Sequence, residues 1–489
     1  MIKSPVLDGG HSSSSLRQPS NLKGVLSSNP GRTLAAFPAT EPAIDYIGRW
    51  DASKTARWAG SSLRFRFSGA LLFLVPGEKT QATDQPTVGW TINGTSYTAL
   101  ARPGVSIRLW PAEGQLPTDP KSPTSSSFNI GTSIPEASTS SAVNVVEVSL
   151  IDWGSVLQVA SIQTLAGHGI SPAYPVGIAR LPTMLFIGDS TTSGFIHPSP
   201  TADPQEYCGF MDAFPSHLRT LLSPGVRVYA VAFPGIKLVD STEQEGMESK
   251  WFKAGPFDGR LEWDFAERDG ESGPTHIFIN LGAHDDIPTE KFIETYESFL
   301  NMLKETHGRR TGDILVAAPF GEWDEEKGKY VGHYPEIKDM IQKIKERWES
   351  ENPWERGDFP SSPMLELVKM QYRSDNTAHL GIPGFVSYPS PPGIRSNGAV
   401  IGNNGLPLPD PHSDSLTSPR PSLMVRPSSI AAVEPSAQGT KARLHYIDTD
   451  GWLDSRSDTF DGLHPTRQGA IKIAQNLKHW LATNGFLQG

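Results

Sequence analysis

The sequence predicts an α/β domain built on a parallel sheet, preceded by an all-β sandwich of jelly-roll type. Two contrasting textures predict it. Up to about residue 170, short apolar runs separated by turn residues follow one another at strand spacing, with no helical pattern between them. After Pro182, short runs that suit buried strands alternate with segments whose apolar residues recur at helical spacing. With 489 residues, 37% of them hydrophobic, the chain has material for two or three full-sized cores.

Residues 1–43 are rich in Ser, Pro and Gly and show no helix or strand period, so a disordered lead-in is expected there. The sandwich is expected over residues 44–170. Leu63-Arg64-Phe65-Arg66-Phe67 alternates strictly, as a strand with one buried face does, and Leu71 to Val75 is a continuous apolar run. Gly89 to Leu100 holds Asn93-Gly94 between extended segments, the commonest short hairpin turn. Asn93-Gly94-Thr95 is also a glycosylation sequon, but the turn alone is sufficient reason for it. Val105 to Trp110, Val143 to Leu150 and Val156 to Ile162 continue the pattern, and the Pro/Ser-rich piece from Pro111 to Ser141 reads as a long surface loop. Trp50, Trp58 and Trp90 fit either the core of such a sandwich or a surface that stacks on sugar rings.

The α/β domain is expected over residues 180–486, with strands at Met184 to Ile187, Val226 to Val231, His276 to Asn280, Ile314 to Ala318 and Leu444 to Ile447. Phe292, Tyr296, Phe299, Leu300 and Leu303 make one helical stripe, with Thr289 as N-cap, and Ile337, Met340, Ile341, Ile344 and Trp348 make another. A last helix carries Ala470, Ile473, Ala474, Leu477 and Leu481 and stops near Gly485. The helix before the second strand is less regular, because Pro215 falls between Phe214 and Leu218. Residues 374–440 are dominated by Pro, Ser, Gly and Asn and read as a mobile low-complexity insertion before the last strand.

The chemistry is concentrated where the first of these strands ends. Met184-Leu185-Phe186-Ile187 stops at Gly188-Asp189-Ser190, where a glycine lets the chain turn sharply and lift the Ser190 hydroxyl above the sheet edge. A helix starting there would point its first N–H groups at the serine oxygen. A serine needs a base to become a nucleophile, and Asp461-Gly462-Leu463-His464-Pro465 offers one: a carboxylate three residues before an imidazole, close enough to hold one ring nitrogen while the other faces Ser190. Ser190, Gly235, His284 and the Asp461/His464 pair each follow a predicted strand, so all of them emerge at the carboxyl edge of a parallel sheet, where open α/β folds bind ligands.

Gly188-Asp189-Ser190-Thr191-Thr192-Ser193-Gly194 resembles the opening GDSxTxG block of the SGNH, or GDSL, hydrolases, and Asp461 to Pro465 resembles their closing DxxHP block. Ala232-Phe233-Pro234-Gly235 is similar to the glycine block and Asn280-Leu281-Gly282-Ala283-His284-Asp285 to the GxND block, with His284 standing where the family has asparagine. Gly48-Arg49-Trp50-Asp51 together with Trp58 to Phe65 looks like the N-terminal sandwich of the two-domain carbohydrate esterases of family 2. The resemblance implies a flavodoxin-like three-layer α/β/α hydrolase domain. It also implies a serine esterase with Ser190 as nucleophile, His464 as base, Asp461 orienting the imidazole and Asp189 structural. The oxyanion would be held by backbone N–H groups of Ser190 and Gly235, and a neutral His284 can still present one N–H as a third donor. Deacetylation of a polysaccharide is the activity it favours; a lipid or small-ester hydrolase and a non-catalytic carbohydrate-binding protein are the alternatives. Trp323 and Trp452, near the fourth strand and the Asp461/His464 pair, are candidates to line the cleft and stack on a sugar, or to pack in the core.

The formal net charge of −10 and the lack of a basic run argue against nucleic acid or anionic membrane as the main partner and fit a neutral or cationic substrate better; the partner that the resemblance implies is an acylated carbohydrate or other ester. Cys208 is the only cysteine, which rules out an intrachain disulfide, a zinc-thiolate site or an iron-sulfur cluster, and it is expected to be a small buried hydrophobe. The histidines are not paired at ligand spacing, so no metal or cofactor is expected. No stretch is long enough to span a bilayer. Met1 to Pro42 lacks the basic start and apolar core of a secretory signal, whereas the resemblance implies export, so location stays open between the two.

Overall fold

The computed structural model describes residues 33–83, 85–110, 143–174, 181–195, 209–223, 225–257, 261–265, 273–307, 311–332, 336–350 and 442–486. Cys208, the expected loop at 111–141 and the expected insertion at 374–440 lie outside the described residues.

The first part of the chain forms β1 (Leu34–Pro38), β2 (Asp45–Ile47), β3 (Thr55–Ala56), β4 (Ser62–Phe67), β5 (Leu72–Pro76), β6 (Val88–Ile92), β7 (Thr95–Ala99), β8 (Ile107–Trp110), β9 (Asn144–Leu150), β10 (Leu157–Leu165) and β11 (Ile170–Ser171). They pair antiparallel into two sheets, one in the order β1-β10-β5-β8 with β3 on β10, the other in the order β11-β4-β9-β6-β7 with β2 on β4. Alternate residues of β4, β6 and β9 (Leu63, Phe65, Phe67; Val88, Trp90, Ile92; Val146, Val148, Leu150) meet Leu72, Leu74 and Ile162 of the other sheet in one core. Asn93 and Gly94 both have positive φ (51° and 84°), as the expected two-residue turn between β6 and β7 requires.

One expectation is corrected here, and one left open between two readings is decided. The lead-in expected to be disordered through residue 43 contains β1, whose five residues all pair with β10. That pairing spans more than a hundred residues of sequence, so no local pattern announced it. Trp50, Trp58 and Trp90 are at most 5% exposed, and their indole N–H groups donate to backbone carbonyls. They serve the core, where a buried indole needs a partner for its one polar group, and present no ring face to a sugar.

The second part begins with β12 (Thr183–Gly188), followed by the single turn α1 (Ser190–Ser193), α2 (Phe214–Leu222), β13 (Arg227–Ala232), α3 (Met247–Lys250), β14 (His276–Asn280), α4 (Thr289–His307), β15 (Asp313–Ala317), a small hairpin β16 (Glu322–Asp324) and β17 (Lys329–Val331), α5 (Ile337–Ser350), β18 (Arg443–Ile447) and α6 (Arg467–Thr483). β13-β12-β14-β15-β18 form a five-stranded sheet, and every pairing in it is parallel. β12 lies inside it and every one of its residues is buried, as its unbroken apolar run requires. Met184 and Phe186 share a core with Phe214 and Leu218 of α2 and Ile473, Ala474 and Leu477 of α6. Pro215 sits in the first turn of α2, where the ring costs no hydrogen bond, so it starts the helix and does not interrupt it.

The two parts are fastened by buried charge and by close packing. Glu147 of β9 takes hydrogen bonds from Arg64 of β4 and from Arg219 of α2, all three side chains being 7% exposed or less. Arg49 donates to the carbonyls of Trp251 (2.7 Å) and Lys253 (2.8 Å), its guanidinium 4.4 Å from the Trp251 ring centre. Gly60 lies against Phe210: a Cβ there would come within 2.6 Å of the ring, and the residue's φ of 91° disfavours any side chain. Ala59 and Ile151 of the antiparallel region are therefore part of the core beneath the parallel sheet. Among the described residues no helix is long and apolar enough to cross a membrane.

Candidate active site

Ser190 stands immediately beyond the carboxyl end of β12. Gly188 is required by close approach: a Cβ there would sit 2.0 Å from Thr192 Oγ1 and 3.0 Å from the Asn280 carbonyl. Without a side chain at that point α1 can fold back over the strand end. Asp189 caps this turn, its carboxylate accepting the Thr191 N–H at 3.0 Å. Burial pushes the Asp189 carboxyl above its ordinary range, with neighbouring His284 and the Thr191 N–H acting the other way. The helix is four residues long and ends at Gly194, so any help to a negative charge on Ser190 comes from individual N–H groups and not from a long helix dipole.

The loop after β18 brings the other two residues. Phe460 N–H donates to the His464 carbonyl at 3.1 Å, closing the loop, and Thr466 then caps α6 by accepting the Gly469 N–H at 3.2 Å. Inside the loop one Asp461 oxygen accepts the N–H groups of Leu463 (2.9 Å) and His464 (2.7 Å), and the other lies 2.6 Å from His464 Nδ1. Burial works against ionisation of Asp461, but the hydrogen bonds from the His464 ring and from the backbone outweigh it and hold the carboxyl below its ordinary range. An ionised carboxylate only accepts, so Nδ1 carries the imidazole proton. Nε2 is thereby left as acceptor, and it lies 3.0 Å from Ser190 Oγ. An imidazole between a hydroxyl and a carboxylate in this geometry can take the hydroxyl proton.

The two intermediate blocks reach the same sheet edge. Gly188, Ala232 and Asn280 are level with one another across β12, β13 and β14. Gly235 follows three residues after β13, is exposed, and has no heavy atom within 4 Å of where a Cβ would sit. Asp285 ties the blocks together, accepting the N–H groups of Leu238 (2.9 Å) and Val239 (3.1 Å) from the loop that carries Gly235. His284 Nε2 is 3.9 Å from Asp189 Oδ2, too far for a hydrogen bond, and has no hydrogen-bond partner among the described residues. Trp323, in β16, donates its backbone N–H to the Gly462 carbonyl at 2.8 Å and so stands beside the His464 loop. Trp452 is half-buried and tilted against Phe320 at 6.2 Å, packed on the core with α6. Among the described residues no group of three or more His, Cys, Asp or Glu side chains is placed to hold a metal ion.

Sequence reasoning missed the aromatic surroundings of His464. Phe460 stacks on the imidazole at 5.6 Å and Phe195 lies 4.9 Å from it. Trp153, from the turn between β9 and β10, reaches across from the antiparallel region to Phe195 (6.5 Å) and Phe233 (5.2 Å). Asp152-Trp153-Gly154 reads as a turn, and nothing local in it says that its ring will meet the blocks around Ser190 and Gly235.

No protein-family model matches the sequence, and no curated protein matches it significantly. Among solved structures, a family two carbohydrate esterase from Clostridium thermocellum in complex with cellohexaose aligns over 90% of this chain and 98% of its own, with 11% identity and a TM-score of 0.52. A family two carbohydrate esterase from Cellvibrio japonicus aligns over 65% of this chain and 87% of its own (17% identity, TM-score 0.47). A putative GDSL-like lipase from Bacteroides ovatus aligns over 92% and 98% (10% identity, TM-score 0.41). The likeness to the Clostridium thermocellum structure, at 11% identity, is one of fold. The resemblance to the SGNH, or GDSL, hydrolases rests on the sequence blocks around Ser190, Gly235, His284 and His464.

Proposed function

We propose that the protein is a serine ester hydrolase that removes acyl groups, acetyl in the first place, from a polysaccharide or oligosaccharide. The observation that carries this reading is the Ser190, His464 and Asp461 relay, with contacts of 3.0 and 2.6 Å on either side of one imidazole. The parallel sheet with its helices is then the three-layer α/β/α domain of flavodoxin-like type over residues 180–486, and the paired antiparallel sheets are a jelly-roll sandwich over residues 44–170. His464 takes the Ser190 proton as the oxygen attacks the ester carbonyl. The resulting oxyanion is held by the N–H groups of Ser190 and Gly235, with His284 as third donor. His464 returns the proton to the leaving alcohol, and a water activated by the same imidazole cleaves the acyl-enzyme. Asp461 keeps the imidazole in the right tautomer and balances its charge. The carbohydrate part of the reading rests on the resemblance to the family two esterases, and Trp323, beside the His464 loop, and Trp452 are the rings assigned to the sugar. The alternative of a lipid or small-ester hydrolase is favoured by one observation, the apolar rings that flank His464.

The reading is tested by incubating the purified chain with acetylated xylan or glucomannan and measuring released acetate. Release at enzymatic rates supports it; binding of the polysaccharide with no release would point to a carbohydrate-binding protein. The role assigned to His284 gives a second expectation. His284→Ala should lower kcat by about a hundredfold, the usual cost of one oxyanion donor, with little change in KM, while His284→Asn should keep most of the activity. Equal loss in both variants would remove His284 from the oxyanion site.

A further inference from the structure

The rings that run from His464 toward Phe257 belong to no part of the relay. Phe195 meets the imidazole, Trp153 lies 6.5 Å from Phe195 and 5.2 Å from Phe233, and Phe233 lies 5.2 Å from Phe257. Trp153, Phe195 and Phe233 are half-buried and Phe257 is 42% exposed, so the four touching rings present a contiguous, partly exposed apolar surface. Their place in the chain matters as much as their exposure. Phe195 directly follows the Ser190 turn, and Phe233 N–H donates to the Gly188 carbonyl at 3.3 Å two residues before Gly235. An ester reacting at Ser190 must put its carbonyl oxygen toward Gly235 and its leaving oxygen toward His464, so its substituents pass beside these rings.

We infer that Trp153, Phe195, Phe233 and Phe257 form a binding face for an apolar group larger than acetyl, the size of a phenyl ring or a medium alkyl chain, carried by the ester substrate. The inference rests on the serine-esterase reading and, for the substrate, deepens the alternative stated there, a lipid or small ester, and not the acetylated polysaccharide. Successive ring planes differ by 48°, 83° and 87°. Rings so inclined give no continuous flat face for a run of sugars; their exposed edges and faces suit a compact apolar group touched at several angles. Trp153 makes this face a joint product of both parts of the chain, since it arrives from the turn after β9. That turn is held in place by Asp152, whose carboxylate accepts the Thr83 hydroxyl at 2.8 Å and the Ser155 hydroxyl at 2.5 Å.

The test uses the full chain and three esters followed by acid release: methyl acetate, methyl 3-phenylpropanoate and 2-phenylethyl acetate. The second puts the phenyl group on the acyl side and the third on the alcohol side, so the pair also tells which substituent occupies this face. At least one phenyl ester should exceed methyl acetate about tenfold or more in kcat/KM, the scale on which an apolar pocket discriminates. Trp153→Ala should collapse that ratio mainly through KM, and Phe257→Ala, at an exposed ring whose loss spares the core, should lower it in the same sense. Equal kcat/KM for all three esters in the wild type, or a uniform loss on all three in both variants, overturns the inference while leaving the esterase reading intact. Failure of the folded wild type to turn over any of the three, with no acyl-enzyme on Ser190, overturns both.

Discussion

Ser190→Ala is expected to reduce ester hydrolysis by about a millionfold in kcat while leaving the circular dichroism spectrum and the melting temperature close to those of the wild type. The size follows from the relay: without Oγ there is nothing for His464 to activate, and the oxyanion donors retain only the modest acceleration that binding and charge stabilisation give to attack by water. The small structural effect follows from how little Oγ supports. The turn at Ser190 is fixed by the Gly188 approach to Thr192, by the Asp189 cap on Thr191 and by the Ser190 backbone, whose carbonyl accepts the Phe195 N–H at 3.0 Å. A hydrolysis assay with p-nitrophenyl acetate checks it, run with a thermal melt on the same sample. A variant that is folded and still hydrolyses within tenfold of the wild type would place the chemistry elsewhere.

Glu147→Ala is expected to destabilise the fold by about 3–5 kcal/mol, measured by urea denaturation, because it leaves two guanidinium groups buried without their carboxylate. Arg64 Nε lies 2.9 Å from one carboxylate oxygen and Arg219 bonds the other, with Ser216 and Ser149 as its further contacts at 3.2 and 3.4 Å. Burial of Glu147 opposes its ionisation, and the charges of Arg219 and Arg64 more than offset it, so its carboxyl is held below the ordinary value of 4.5. The folded state therefore favours the ionised form more than the unfolded chain does. The stabilisation is fully present above pH 4.5 and is lost as the pH falls through the depressed folded value. Glu147→Gln should accordingly be less stable than the wild type at neutral pH, and the gap should narrow below pH 4.5. A constant gap across that window, or a loss under about 1 kcal/mol in the alanine variant, would mean that the three charges are not a buried unit.

The parts of this molecule that the sequence made legible are those whose cause is local. β12 reads as a buried strand because four apolar residues stand together, and β14 and β18 because their runs are bounded by polar turns. Ser190 and the Asp461/His464 pair were legible because a sharp turn and a three-residue spacing are written in consecutive residues, and the structure brings these three together. β1 was not legible, since its pairing depends on β10, far along the chain. The β16–β17 hairpin escaped for a related reason: strands of three residues are too short to show a period. Pro215 looked like an interruption until its place in the first turn of α2 was known. Trp153 is the most instructive omission. Its reach to Phe195 and Phe233 is a fact about how the two parts of the chain pack, fixed by buried groups such as Gly60 against Phe210 and Arg219 against Glu147.

The central claim is that His464 makes Ser190 a nucleophile, and covalent labelling tests it most directly. Purified protein is treated with a fluorophosphonate, digested, and the adduct located by mass spectrometry, with Ser190→Ala and His464→Ala treated in parallel. The account predicts a single adduct on the peptide carrying Ser190, absent from the serine variant and strongly slowed in the histidine variant. A folded wild type that takes up no label at Ser190, or labels there equally fast without His464, would contradict it.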